Sequence, residues 1–201
     1  MEIETFSDIE KPYWWLKKNP KRYKSVVLDT CTQLQTLAVH ELMAGRRQDK
    51  QAKEGKRKKR LGDWGSMTKR DWGDVAALMK EWLGNYRDLT QIGLQVIFIA
   101  QDRTFNLGDE EDIVDELLAP EIGPALSPSV AKFLNASASA IGNTYIRERH
   151  KKGEKRPTVE YCLGLAPSSL YIRKVRKPKG TMPEDLVDPH WDDVVDIIKG
   201  E

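Results

Sequence analysis

Short apolar runs alternate with longer amphipathic stretches along the first half of the chain. Lys24–Thr30 contains Val26-Val-Leu28 without a polar break, and Leu94–Ala100 contains Val96-Ile-Phe-Ile99. Runs of this length predict strands buried on both faces, as in a parallel sheet. Between them the spacing changes. Leu34, Leu37, Ala38, Val39 and Leu42 recur at helical steps and predict a helix over Thr32–Ala44, with Gly45 placed to stop it. Trp72, Val75, Met79, Trp82 and Tyr86 form a stripe at steps of three and four, which predicts a core-facing helix over Asp71–Leu89. Upstream, Pro12 and Pro20 bracket the cluster Tyr13-Trp-Trp-Leu16, expected to pack as a short helix.

The second half is less regular. Residues 102–127 are acidic and loop-like, with a short helix expected at Ile113–Leu118. A helix is expected over Ser129–Asn135 and a strand over Ala140–Arg147. Thr158–Leu165 and Leu170–Arg176 are expected to pair as strands around Ala166-Pro-Ser168, and a last helix falls at Trp191–Ile198. Strand, helix, strand, then further strands predict an α/β fold with a mainly parallel central sheet flanked by helices. Pro178, Gly180 and Pro183 mark a linker, so one core domain to residue 180 and an acidic tail over 181–201 are expected.

Charge changes this picture more than composition does. The 201 residues are 39% hydrophobic and 32% charged, which suits a globular domain with a well-solvated surface. The net charge of +2 hides three blocks. Arg46 to Arg60 holds nine Lys/Arg against two acids; Asp109 to Glu121 holds seven acids and no base; Glu184 to Glu201 holds seven acids and one Lys. Like charges are too costly to pack together in a core, so these blocks are expected in loops or tails. With Gly55, Gly62 and Gly65, the segment 46–70 is expected to be a mobile basic loop.

Several classes drop out. No apolar run approaches the ~18 residues of a membrane span. The opening Met1-Glu-Ile-Glu-Thr5 lacks the basic and apolar regions of a signal peptide, and a cytoplasmic protein is expected. Cys31 and Cys162 make no disulfide framework, and with three scattered histidines they make no zinc site.

The residues that carry chemistry stand at strand ends. Asp29 closes Val26-Val-Leu-Asp29-Thr30, where an open α/β sheet binds its ligands. A carboxylate there holds a nucleotide's Mg²⁺ through water, or simply caps the following helix. Gln101 follows the second strand, placed either to contact a terminal phosphate or to face solvent. Arg46, Arg47, Lys50, Lys53, Lys56, Arg57, Lys58, Lys59 and Arg60 suit a phosphate backbone, and Trp64 just beyond suits stacking on an unpaired base. The alternative is an inert solvated loop. Lys174 and Arg176 alternate on an expected strand and share a face, and Arg103 lies just past Gln101.

Order and spacing give these pieces a family likeness. A hydrophobic strand ending in Asp29-Thr30, a helix, a basic loop, an amphipathic helix, and Val96-Ile-Phe-Ile-Ala-Gln101-Asp-Arg103 resemble the second part of a RecA-type P-loop ATPase core. Tyr171-Ile-Arg-Lys174-Val-Arg176-Lys177 is similar to the family's basic strand, and Trp72-Gly-Asp74 resembles its bacteriophage branch. The likeness covers roughly residues 22–180. It implies ATP and Mg²⁺ as cofactors, with Asp29 and Thr30 on the metal and nucleotide side and Gln101 sensing the γ-phosphate. It implies Lys174 and Arg176 acting across a subunit interface, and single-stranded DNA on the basic loop and Arg103. The role implied is recombination or replication in a phage-infected host cytoplasm.

The chain departs from that family at one point. No G-x-x-x-x-G-K-[ST] string occurs, and the phosphate-cradling loop should stand before the Asp29 strand. The chain alone is therefore expected to be inactive as an ATPase. A homo-oligomer, or a partner chain supplying the P-loop, is expected instead. The rival readings are a nucleotide-independent nucleic-acid-binding module and a non-catalytic structural phage protein.

Overall fold

The computed structural model describes residues 2–54, 67–105, 121–150, 157–176, 183 and 185–199, without the side chains of 46–54. The chain divides into two compact units. The first comprises residues 1–101 and 124–134, and the second 102–123 and 135–201.

The first unit is built around helices. A short 3₁₀ helix, Phe6–Ile9, leads into α1 (Glu10–Lys18); β1 (Ser25–Asp29) is followed at once by α2 (Cys31–Glu54). Then come α3 (Lys69–Asp88) and β2 (Gln95–Ile99). β1 and β2 pair in parallel, Ser25 opposite Gln95 through Asp29 opposite Ile99. Val75, Met79, Leu83 and Tyr86 of α3 pack with Cys31, Leu34 and Ala38 of α2, Leu28 of β1, and Phe6, Ile9, Tyr13 and Leu16 from the N-terminal helices. The Tyr86 hydroxyl donates to the Ile9 carbonyl at 2.8 Å, which gives its buried oxygen a partner.

Two expectations change here. α2 does not stop at Gly45 but continues to Glu54, 24 residues in all. A helical glycine costs only about 1 kcal/mol against alanine, and the following Arg, Gln, Lys, Ala and Glu are mostly good helix formers. α3 starts two residues early because Thr68 caps it. The Thr68 hydroxyl accepts from Asp71 N–H at 3.3 Å, and Asp71 accepts from Thr68 N–H at 2.8 Å. That box buries Asp71 on the stripe and leaves Trp72 43% exposed, so Trp72 is not a core residue. Trp82 is half-buried against the core and Tyr86 lies within it.

The second unit is made of small sheets: β3 (Asp102–Phe105) with β4 (Glu121–Pro124), β5 (Ala140–Ile141) with β8 (Lys174–Val175), and β6 (Asn143–Arg149), β7 (Thr158–Gly164) and β9 (Asp185–Val187) as three strands. α4 (Pro128–Ser137) begins in the first unit, and α5 (Trp191–Lys199) ends the described chain. β6–β7, β7–β9 and β5–β8 are all antiparallel. The fold is therefore mixed α/β with small sheets. In place of one mainly parallel central sheet the described residues form four small sheets, with a parallel bridge between Ile122 and Tyr171 outside them.

The expected pairing of 158–165 with 170–176 does not form. The Ser168 hydroxyl accepts from the N–H groups of Leu170 and Tyr171, both at 3.1 Å, which turns the chain instead. Arg173 then lies over Gly164, where an added Cβ would come within 2.2 Å of its guanidinium. Only Lys174–Val175 remain as a strand, on β5. The expected helix at Ile113–Leu118, most of the acidic run 109–121 and Gly55, Gly62 and Gly65 lie outside the described residues.

Candidate functional site

β1 and β2 run in parallel and in register, so their carboxyl ends form one edge. Asp29 stands exposed at that edge, joined to Thr30 by a cis peptide bond. Thr30 opens α2: its hydroxyl accepts from Gln33 N–H at 3.1 Å, and its carbonyl from Leu34 N–H at 3.0 Å. The helix-capping role thus falls to Thr30, and the Asp29 carboxylate faces outward.

Gln101 lies two residues beyond the end of β2 at the same edge. Its backbone N–H donates to the Thr32 hydroxyl at 3.1 Å, which ties β2's exit to the first turn of α2. Its carbonyl accepts from Ala125 N–H at 2.7 Å, and the Gln35 side chain accepts from Ser127 N–H at 2.8 Å. The start of α4 is therefore drawn to this edge as well. Neither Gln35 nor Ser127 was singled out by the sequence. Both are polar positions in helical or loop stretches, and only the fold brings them to the strand ends.

The Cys31 thiol, one residue past Thr30, is fully buried and its pKa is pushed up to about 12, chiefly by desolvation and further by Asp29. It is a protonated packing group, not a nucleophile.

Lys174 and Arg176 belong to the second unit and have partners inside it. The Lys174 ammonium donates to the Asn135 carbonyl and the Arg176 guanidinium to the Ala136 carbonyl, while Arg176 N–H donates to the Ser139 carbonyl at 2.8 Å. Two cations thus satisfy the free carbonyls of the last turn of α4, where the helix dipole favours positive charge. Burial lowers the Lys174 pKa, with Arg176 adding to it.

Arg103, on β3, is exposed and lies 5.5 Å from the Phe105 ring. Arg46, Arg47, Lys50 and Lys53 fall on the distal half of α2. Lys56, Arg57, Lys58, Lys59, Arg60 and Trp64 lie outside the described residues.

One constellation escaped the sequence reading. Arg147 of β6 meets Glu160 of β7 at 2.9 Å and Asp185 of β9 at 3.4 Å, and Arg149 reaches Glu160 at 3.5 Å. Register puts Arg147 opposite Glu160. The Arg147 bond holds the Glu160 carboxyl below its usual range, and a hydrogen bond with Asp185 pushes the Tyr145 hydroxyl up to about 12. Alternate positions on two charged strands were the available signal, legible only once the strand pairing is known.

A family model described as an AAA domain matches residues 1–177, and the chain belongs to that family. The class is that of nucleotide-binding, ATPase-type domains. No curated protein and no solved structure gives a significant match.

Proposed function

We propose that this chain is the Mg²⁺-side half of a RecA-like AAA nucleotide site, coupled to single-stranded DNA binding in phage recombination or replication. The observation that carries the reading is the Asp29-Thr30 edge. It presents a free carboxylate, and α2 leaves directly from it toward the basic segment. At about 1.5 Å per residue, the 24 residues of α2 make a lever of about 36 Å between nucleotide and DNA.

The residues present fit Mg²⁺–ATP on one side only. Mg²⁺ prefers one or two carboxylates with several waters, and Asp29 is exposed and free to supply one. When bound, the metal would neutralise charge building on the phosphates. Asp29 would position it, and Gln101, fixed through its backbone to Thr32, would report a terminal phosphate to the first turn of α2. No P-loop string is present to cradle the phosphates.

The other side would come from a second copy or a partner chain. Among the described residues β2 pairs only with β1, and Val27 and Ile99 are exposed. A parallel sheet normally covers both faces, so an edge and a face of this kind suit an added strand-and-helix unit. In an oligomer, Lys174 and Arg176 would have to leave the α4 carbonyls to act on a neighbour's nucleotide.

The test is fluorescence anisotropy of a labelled single-stranded oligonucleotide through a salt series, with and without Mg²⁺–ATP. Salt-sensitive binding that shifts with ATP, and loses that shift in Asp29→Ala, is the expected result. Binding indifferent to ATP and to Asp29→Ala would leave a nucleotide-independent module acting through the basic segment. No binding at low salt would remove the nucleic-acid role.

A further inference from the structure

α1 has two faces of different chemistry. Ile9, Tyr13 and Leu16 point inward and are buried; Tyr13 is wedged between Trp82 and Tyr86, each 5.6 Å away between ring centres. The outward stripe is Lys11, Trp14, Trp15 and Lys18, at the i, i+3, i+4 and i+7 steps of one helix face. Trp14 is 45% exposed, Trp15 40%, and Tyr23, in the turn after α1, 52%. Three large exposed aromatics so close together are unusual on a soluble surface and mark a contact site.

The rings are held as a platform. Trp14 Nε1 donates to Glu10 at 3.0 Å and its ring meets Tyr13 edge-on at 5.0 Å. Trp15 packs against Tyr23 at 5.6 Å. Cations sit over the same rings: Lys17 is 5.2 Å from the Trp14 ring centre and Arg22 5.4 Å from that of Trp15. From Lys11 to Lys24 there are six Lys/Arg and no acid. The two acids nearest, Asp8 and Glu10, are engaged internally, Asp8 by Thr5 and Lys11 and Glu10 by Trp14. Lys11, Trp14, Trp15 and Lys18 line a shallow cleft of about 610 Å³ together with Ser7, Asp8 and Glu10.

We propose that this face is a second binding surface for single-stranded nucleic acid, separate from the basic segment at 46–60. Unpaired bases would stack on Trp14, Trp15 and Tyr23, and phosphates would follow Lys17, Lys18, Lys21 and Arg22. Aromatic faces interleaved with cations are the pattern by which single strands are held without sequence preference. A duplex keeps its base faces stacked and offers the rings nothing. A membrane is the poorer occupant, because an interfacial helix needs its apolar face outward, and α1 has committed that face to the core. The surface requires neither Asp29 nor nucleotide.

The experiment measures anisotropy and tryptophan quenching with labelled oligo(dT), for the parent chain, Trp15→Ala, Trp15→Phe, the pair Lys18→Glu with Lys21→Glu, and the basic-segment pair Arg57→Glu with Lys58→Glu. Trp15→Ala is expected to weaken binding about 10-fold, while Trp15→Phe keeps most of the affinity. The Lys18/Lys21 pair is expected to weaken it further and to flatten the salt dependence by roughly 0.7 per lost phosphate contact. Unchanged circular dichroism will show that these exposed substitutions leave the fold alone.

Parent-like binding by both Trp15→Ala and the Lys18/Lys21 pair overturns the proposal, and if Arg57→Glu with Lys58→Glu then abolishes binding, the basic segment alone is the site. Equal affinity for a hairpin duplex, or capture by anionic vesicles without oligonucleotide binding, also overturns it. If the Trp15 and Lys18/Lys21 variants weaken binding while ATP and Asp29→Ala change nothing, this surface stands and the nucleotide coupling falls.

Discussion

The two units reach a folded state by different means. The first gathers nineteen buried apolar residues into one cluster, drawn from its helices, from Leu28 of β1 and from the connecting segments. Among the described residues the second buries three, Cys162, Leu165 and Val194, and leaves Ile146, Val159 and Tyr161 exposed on one sheet face. It makes up part of the difference with Arg147, Arg149, Glu160 and Asp185 joined across three strands. Apolar burial does not titrate, while an ion network is lost when its carboxylates are protonated and is weakened by salt screening. The unit with the deep core carries the candidate nucleotide edge and both proposed nucleic-acid surfaces, which suits a site that must keep its geometry against a highly charged ligand.

The sharpest way to expose the contrast is to cut into each unit. Leu83 is fully buried in the first core, and Leu83→Ala is expected to cost about 2–5 kcal/mol. Ile146→Ser, on the exposed sheet face of the second unit, is expected to change stability by less than about 0.5 kcal/mol. Urea unfolding followed by circular dichroism measures both, and equal effects would erase the distinction between the two units.

The same contrast explains what the sequence disclosed. β1, β2, α3, α4 and α5 were legible from apolar spacing; α3 and α4 do bury a stripe, whereas β1 buries Leu28 alone, β2 is only half-buried and α5 buries Val194. The end of α2 was not legible because Gly45 reads as a stop in the sequence, while helix formers on both sides outvote it. The second unit was less legible because strands exposed on one face and only two to seven residues long carry little pattern. There the decisive events are local: the Ser168 turn, the Arg173 guanidinium over Gly164, and a cross-strand register that no single strand announces. At the candidate site, Asp29 and Gln101 were legible from strand ends, whereas Thr32, Gln35 and Ser127 reach them only through folding. Trp14 and Trp15 were placed in a helix correctly, but which of them faced outward depended on Tyr13 and Leu16 taking the inward side.

Acid should separate the units next. The Glu160 pKa is held down by Arg147, so its contribution is present above the ordinary carboxylate range and is lost as pH falls through the lowered value. Arg147 stays charged throughout. The Tyr145 hydroxyl shifts the other way: its contribution is present below its ordinary value near 10 and is lost as pH rises through about 12. Amide exchange followed against pH should show β6, β7 and β9 opening in acid before α2 and α3 do. Simultaneous opening would mean that the ion network adds nothing to the second unit.

A smaller effect isolates a helix start. Thr68 supplies the cap of α3 together with Asp71, and Thr68→Ala is expected to cost about 1 kcal/mol, while Thr68→Ser should keep most of the cap. Loss by both variants would assign the effect to the Thr68 methyl group rather than to its hydroxyl. The thermal midpoint of the first unit is the measure.

A last substitution tests the lever within the first unit. Gly45 sits mid-helix in α2, exposed, with nothing within 4 Å of where a Cβ would stand. Gly45→Ala adds no clash and removes backbone freedom from the unfolded chain, so it should stabilise α2 by about 0.5–1 kcal/mol. If α2 links Asp29 to the basic segment as a rod, the stiffer helix should also enlarge the shift that Mg²⁺–ATP produces in oligonucleotide affinity. A stabilised protein with an unchanged shift would leave α2 as scaffold only, and the coupling would have to run through Gln101 and α4 instead.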